Sequence, residues 1–498
     1  MGAGPVGLTM AAELARYGVS VRIVEKAAQR TDKSKAIVMW SRSLEMLDRM
    51  GCTAPFLSAG LKVTGANIAA GVKQVAHIKV DRVASPHPYA LMIPQCDTER
   101  LLEEHLNTFA VKVERTVELT ASVANADGVV ATLRGPDGKE EKFASGWLIG
   151  CDGAHSTVRH QLGMEFVGET MPSNWILADV HLSGLPDPGE INISWHSAGI
   201  LATFPIVPPR YRVIADVGNW LGAAAPHDPT LAEVQAILDE RGPGGITASN
   251  PIWLAAFHIN ERKVAEYRVG RVFLTGDAAH IHSPAGGQGM NTGIQDACNL
   301  AWKLALVCRG TCAAEPLLAS YSIERSAVGN AVLKGAGRLT EVAIMRGAIK
   351  QSIRNHVASL VFGLSPVLKK AADAVTELSI GYPESPLNGG GQHLHRGPLA
   401  GERAPIREKE LPVGAGATPR FALFAQSSGE TVKQLLARYA NLLEPDLREP
   451  LHAGGLWLVR PDGYVALATK QGRWDEVTKY QHRARRELTT IRISLPHS

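Results

Sequence analysis

Residues 1–25, MGAGPVGLTMAAELARYGVSVRIVE, carry Gly2, Gly4 and Gly7 in the spacing G-x-G-x-x-G. That spacing alone is a weak signal, and its surroundings give it weight. Pro5 suits a first helical position, Val6, Met10 and Leu14 recur at helical intervals, and Gly18 supplies a left-handed stop. A helix over about residues 5–17 is therefore predicted. The β-branched run Val19 to Val24 follows and ends on Glu25, 18 positions past Gly7. That is near the place where a carboxylate holds a ribose hydroxyl in nucleotide-binding units. Glycines let the backbone turn tightly and approach a pyrophosphate, and a helix N-terminus offers it unpaired N–H groups and a positive dipole end. A mere glycine-rich turn is the competing reading, and strand, helix and acid together weigh against it. One feature is anomalous: only Met1 precedes Gly2 where a buried strand is expected. Either the true start lies upstream or the sheet lacks its central strand. The former is favoured, because an unfilled slot leaves two rows of backbone groups unpaired.

The 498 residues imply two to four domains at roughly 100 to 200 residues each. With 45% hydrophobic, 20% charged and 6% aromatic residues, the chain is an ordinary globular protein and neither fibrous nor disordered. A net charge of +4 is too small for a nucleic-acid footprint at this length. Residues 191–209 lack Asp, Glu, Lys and Arg but contain three prolines, so they read as strands and turns, and no membrane span is expected. Six cysteines without a C-x-x-C pair, and no export signal, point to the cytoplasm.

Two further stretches carry chemistry. Residues 115–149 read as a β-meander turning at Asp127-Gly128 and Asp137-Gly138. A third such pair, Asp152-Gly153 in WLIGCDGAHSTVR (147–159), lies instead at a strand-to-helix junction. In residues 271–309 a buried strand, Val272 to Thr275, delivers Gly276-Asp277. A glycine-rich loop then opens a helix with Met290, Ile294, Ala297, Ala301 and Leu304 on one face. His280 and His282 suggest a metal pair, but no further ligand cluster accompanies them. Ser283 beside His282 lacks the G-x-S-x-G elbow of a nucleophile, so a hydrolase is disfavoured.

The three blocks together resemble the FAD-dependent aromatic hydroxylases, single-component flavoprotein monooxygenases, in their phenol hydroxylase and polyketide hydroxylase branch. The resemblance covers essentially the whole chain. It implies that Gly2, Gly4, Pro5 and Gly7 approach the FAD pyrophosphate, that Glu25 holds the adenosine ribose and that Asp277 binds the ribityl chain. Gly287, Gly289, Met290 and Asn291 would lie under the flavin pyrimidine, with Pro284 and His282 beside the flavin. Asp152 and Gly153 match a dipeptide linked to both FAD and NAD(P)H, and Arg42 and Gln95 match positions near the cofactor. Lys35 and His155 stand where relatives often carry Arg, and Lys is a point charge without the bidentate fork.

The resemblance further implies hydroxylation of a small phenolic or polycyclic aromatic substrate by NAD(P)H and O₂ through a flavin hydroperoxide, the hard chemistry belonging to the cofactor. No metal is implied. The alternatives are a flavin-dependent epoxidase or Baeyer–Villiger-type oxygenase, or a non-catalytic FAD-binding protein.

The expected fold is α/β. A Rossmann-like FAD-binding domain spans 1–165 and 266–330, with part of 60–95 joining the substrate sheet. A mostly antiparallel substrate-binding sheet is inserted at 166–265. A helical segment follows over 331–385, preceded by the family-like Tyr-x-x-Glu-Arg that ends on Glu324-Arg325. The resemblance makes 400–498 a thioredoxin-like C-terminal domain. No cysteine lies beyond Cys312, so that domain has no thiol redox role, and a structural role or a homodimer contact is left for it.

Overall fold

Helix Pro5–Arg16 starts at Pro5, ends at Tyr17 and is followed by Gly18 at φ +72°. The structure is a computed structural model and describes every residue except 72, 220–226, 346, 363, 391–393, 395, 408, 427–428 and 486–498. After this helix, strand Ile23–Glu25 pairs in parallel with Val113–Arg115. Leu148–Gly150 likewise pairs in parallel with Val272–Leu274, whose other edge takes Arg268–Val269.

Met1 and Gly2 occupy the slot between these two pairs. The Met1 amino group donates to the Ile149 carbonyl at 2.9 Å, and its carbonyl accepts from Cys151 N–H at 2.8 Å. Gly2 N–H donates to Val24 O at 2.9 Å. The slot expected to lack a strand is thus bonded on both sides by two residues. Connections run outward in opposite directions from this point, which is where an α/β layer opens a crevice beyond its strand ends.

The strands are short and apolar because both faces are covered. Helices Pro5–Arg16 and Gly289–Cys308 lie on one face, and the meander Glu118–Ala124, Val129–Arg134 and Glu140–Ser145 on the other. Met10, Leu14, Val24, Leu133, Leu148, Phe273, Ala297 and Leu304 share one core cluster. Burying a side chain of the size of Phe273 contributes roughly 1.5–3 kcal/mol.

A second sheet of eight strands runs in the order His280–Ile281, Thr247–Lys263, Val167–Ser183, Arg210–Asn219, Gly199–Val207, Ile191–His196, Gly65–Ala70, Lys73–Lys79. Only the contact of Ile191–His196 with Gly65–Ala70 is parallel. Gly65–Ala70 and Lys73–Lys79 form the far edge of this sheet. Alternation divides its faces: Ile176, Ala178, Val180, Leu201 and Val213 pack with Val234 and Leu238 of helix Leu231–Arg241. Trp175, Trp195 and Phe257 point the other way, toward helices Ala319–Ala343 and Ala348–Phe362.

The C-terminal part forms a three-stranded antiparallel sheet, Ala422–Phe424, Gly455–Val459 and Val465–Lys470, flanked by helices Glu430–Arg438 and Trp474–Arg485. Its core is continuous with the first unit, because Tyr17 and Trp302 pack with Phe421, Leu423, Leu458 and Tyr480.

Candidate active site

The three glycines of the fingerprint differ in what surrounds them. A Cβ on Gly2 would lie 2.4 Å from the Cys151 carbonyl oxygen, and one on Gly7 would lie 2.0 Å from that of Gly2, whereas one on Gly4 would meet nothing within 4 Å. Gly2 and Gly7 are therefore fixed by the protein's own packing, and Gly4 borders open space. Gly4 is also the N-cap of helix Pro5–Arg16, and no side chain caps that end. Unpaired N–H groups beside an open approach are what a pyrophosphate requires. Glu25 closes this corner: one carboxylate oxygen accepts from Ala3 N–H at 2.8 Å and the other from Ala27 N–H at 2.9 Å. Carboxylate oxygens accept more than one bond each, so both keep capacity.

Asp277 lies on the short turn Gly276–Ala278 at the end of Val272–Leu274. It is the one exposed residue between Val272 and His280. The protein crowded around it still pushes its carboxyl above the usual range, opposed by the charges of His280 and Lys35. Lys35, exposed itself, thus stands within electrostatic reach of Asp277. Gly276, at φ +56°, leaves room for Val6 of the first helix, so glycine loop and acidic turn are packed together.

The glycine loop after Pro284 uses Gly286 and Gly287 at φ +85° and +64° to reach helix Gly289–Cys308. Its N-cap, Gln288, supplies no side-chain bond, so the amides at Gly289, Met290 and Asn291 are a second uncapped helix start. The Asn291 side chain accepts from Trp40 N–H at 2.8 Å and donates to the carbonyls of Val38 and Gly287. It ties the segment carrying Lys35 to this loop. Pro284 is exposed and His282 half-buried. Burial, with His280 nearby, lowers His282 to about 4, so its imidazole is neutral at pH 7.

Other predicted residues are turned elsewhere. Arg42, expected near the cofactor, is buried, with its guanidinium on Glu45 at 2.8 Å and on the Asp462 carbonyl at 2.8 Å, across the Tyr464 ring. Gln95 accepts from Ala36 N–H through its Oε1 and donates from its Nε2 to Glu99, which makes it a strut for residues 35–38. Asp152 accepts from the Ser156 hydroxyl at 2.5 Å and from Val158 N–H at 3.1 Å, capping helix Thr157–Gln161. Gly153 follows at φ +79°. His155 is exposed. Arg159, from the same helix, donates to the carbonyls of Ala278 and Ala154, so the Asp-Gly loop and the Asp277 turn are held by one guanidinium.

Two groups escaped the sequence. Asp296 accepts from Gly276 N–H at 3.1 Å and from Arg325 at 2.5 Å, and lies 2.7 Å from His280 Nε2. His280 is thus a strut for the acidic turn, and the Tyr-x-x-Glu-Arg pattern ending at Arg325 was the available clue. On the face of the large sheet that carries Trp175 and Phe257, buried Asp179 pairs with Arg212 at 2.7 Å, and Arg212 donates to the Lys35 carbonyl at 2.8 Å. Residues so far apart in sequence leave no local signal.

The protein around Gly4, Asp277 and Gly289 therefore fits FAD: two uncapped helix starts, an exposed acid between them, and a glycine whose Cβ would project into open space. Residues 1–336 match the FAD binding domain family. This chain belongs to the FAD-binding monooxygenases. The monooxygenase is 32% identical over 501 residues to 6-methylpretetramide 4-monooxygenase of Streptomyces rimosus, covering 93% of this chain and 89% of that one. It is 31% identical over 478 residues to pentachlorophenol 4-monooxygenase of Sphingobium chlorophenolicum, covering 93% and 85%. Its fold superposes on the solved anhydrotetracycline hydroxylase OxyS of Streptomyces rimosus with a TM-score of 0.79, 29% identity and 97% of each chain covered. FAD is the monooxygenase's cofactor and NAD(P)H its co-substrate. Among the described residues no helix is long and apolar enough to cross a membrane.

Proposed function

We propose that this monooxygenase hydroxylates a phenolic or polycyclic aromatic ring held between the acidic turn and the Arg212 and Trp253 face of the eight-stranded sheet. The observation that carries it is the roof: Arg212, over the Trp253 ring, bonds the Lys35 carbonyl, and Trp175 and Phe257 lie on the same face of the sheet, where they pack against the two helices. A half-buried aromatic side chain such as Trp253 suits a flat ring, and a few fixed polar groups suit its orientation. The relatives named for a pretetramide, an anhydrotetracycline and a chlorinated phenol act on compounds of that class.

Bound at the crevice, FAD supplies hydride acceptance from NAD(P)H and activation of O₂. Everything else is positioning. The amides after Gly4 take the pyrophosphate, Glu25 the adenosine ribose and Asp277 the ribityl hydroxyls. The amides at Gly287, Gly289, Met290 and Asn291 receive the electron-rich pyrimidine edge, Pro284 and neutral His282 line its flank, and the capped Asp152-Gly153 loop borders both cofactors. The sheet and helices above exclude water, which protects a reactive oxygen species from wasteful decay.

We also read the C-terminal unit as thioredoxin-like. Supporting this, Phe421 and Phe424 form parallel bridges to Leu443 and Arg448, while the next two strands are antiparallel, the order 2-1-3-4 with helices after the first and last strands. The domain limits given above, a homodimer and a cytoplasmic site belong to the same proposal.

The test is a panel of phenols and polycyclic phenols scored for NAD(P)H consumption and product mass. Substrate-stimulated consumption with a product heavier by one oxygen is expected. Stimulation by ketones alone, giving esters, would move the protein to the Baeyer–Villiger reading.

A further inference from the structure

The turn Arg460-Pro461-Asp462-Gly463 joins two strands of the C-terminal sheet and projects into the first unit. Arg460 is fully buried there. Its two terminal nitrogens donate to the two carboxylate oxygens of Glu324 at 2.6 and 2.9 Å, and Asp462 accepts from its Nε at 3.0 Å and from one terminal nitrogen at 2.5 Å. Glu324 also accepts from Lys303 at 2.7 Å and Asn299 at 2.7 Å, both on helix Gly289–Cys308. The next residue, Arg325, bonds Asp296 at 2.5 Å, the Thr292 carbonyl at 3.0 Å and the Tyr382 hydroxyl at 2.9 Å. Tyr382 in turn packs on the Tyr464 ring at 4.3 Å, and Arg460 lies over both rings.

Glu324 and Arg325 are adjacent, so one end of this network is held by the C-terminal unit and the other reaches the turn presenting Asp277. Charges this deep are stable only while every partner is in place. A generic domain contact would be apolar, and the apolar contact around Trp302 and Phe421 already supplies adhesion. The polar chain adds direction.

We propose that the C-terminal unit, acting with Tyr382 of the segment before it, is a positioning device for the flavin site: Arg460 fixes Glu324, Tyr382, packed on Tyr464, fixes Arg325, and Arg325, through Asp296, sets the Gly276-Asp277 turn. The proposal rests on the assignment of Asp277 to FAD. Loss of Arg460 therefore loosens FAD without touching it.

The test uses the full-length holoenzyme, stripped of FAD and titrated with FAD by fluorescence quenching, together with apoprotein melting and the flavin midpoint potential. Arg460→Lys keeps the buried charge but loses the bidentate fork. Tyr382→Phe removes one hydroxyl at nearly constant volume. Both are expected to weaken FAD by about fivefold or more, the scale of one ordinary hydrogen bond, and to shift the potential. Arg460→Met should be weaker still, with Lys giving partial rescue. Tyr464→Phe, which removes a hydroxyl that no described residue bonds, should bind as the parent does. A folded Arg460→Lys or Tyr382→Phe with the parental dissociation constant and potential overturns the proposal, even if melting falls, since that is what a purely structural role gives. If Arg460→Lys does not fold, Tyr382→Phe decides alone. Asp277→Ala is titrated in parallel: unchanged binding there refutes the site assignment, whereas weakened binding there with unchanged binding in the other two refutes only the positioning role.

Discussion

Asp277 and Asp152 are both aspartates in short turns at strand ends, and their surroundings give them different work. Asp277 is exposed in a buried run and crowded enough for burial to raise its carboxyl. Removing a charged acceptor of hydroxyl hydrogen bonds costs about 1.5–3 kcal/mol. Asp277→Ala should therefore weaken FAD by about tenfold or more, read by titrating the stripped protein, while the apoprotein melts as the parent does. Asp152 spends both oxygens on Ser156 and Val158. Asn caps as well as Asp, so Asp152→Asn should keep the melting temperature within about a degree. If the carboxylate also orients the cofactors, stopped-flow reduction by NAD(P)H slows in that variant. A parental rate would return Asp152 to capping alone. The sequence showed both residues and could not show their bonds, because Asp152's partners are local but Asp277's supports, Asp296 and Arg325, come from later helices.

Among elements, the first helix and its glycine loop were fully legible, since Pro5, Gly18 and the apolar spacing act within one turn of chain. The two glycines that pack and the one that opens were not, because that depends on Cys151 and the folded loop. The difference is testable: Gly4→Ala should leave apoprotein melting nearly unchanged and abolish tight FAD binding, while Gly7→Ala should lower melting strongly. Equal melting losses would contradict this division. The junction of helix Ser365–Val375 with helix Gly289–Cys308 hides another property. Burial raises Glu377, bonded to Thr292 and Gln295, to about 8 against an ordinary 4.5. Between those values the folded state keeps a proton that the unfolded chain has lost, so this group's contribution to stability falls as pH rises through the window. Glu377→Gln removes that slope, and its melting temperature relative to the parent should rise from pH 5 to pH 8 and then level. Parallel melting curves across that range would contradict the burial of an ionisable group there.

Across the whole molecule, the order of units was readable because each unit announces itself locally: glycine fingerprint, meander, β-rich insert, helices, cysteine-free tail. Their joints were not. Met1 reaching Ile149, Arg212 reaching Lys35 and Arg460 reaching Glu324 are contacts over long sequence separations that no periodicity encodes. The central claim is that these joints assemble a crevice in which FAD delivers one oxygen atom of O₂ to an aromatic ring. The most direct measurement is product mass after turnover with NAD(P)H, a phenolic substrate that stimulates NAD(P)H oxidation, and isotopically labelled ¹⁸O₂. One ¹⁸O atom in a ring hydroxyl of the product is predicted. Stimulated NAD(P)H oxidation that yields only hydrogen peroxide, or a hydroxyl whose oxygen comes from water, would contradict it.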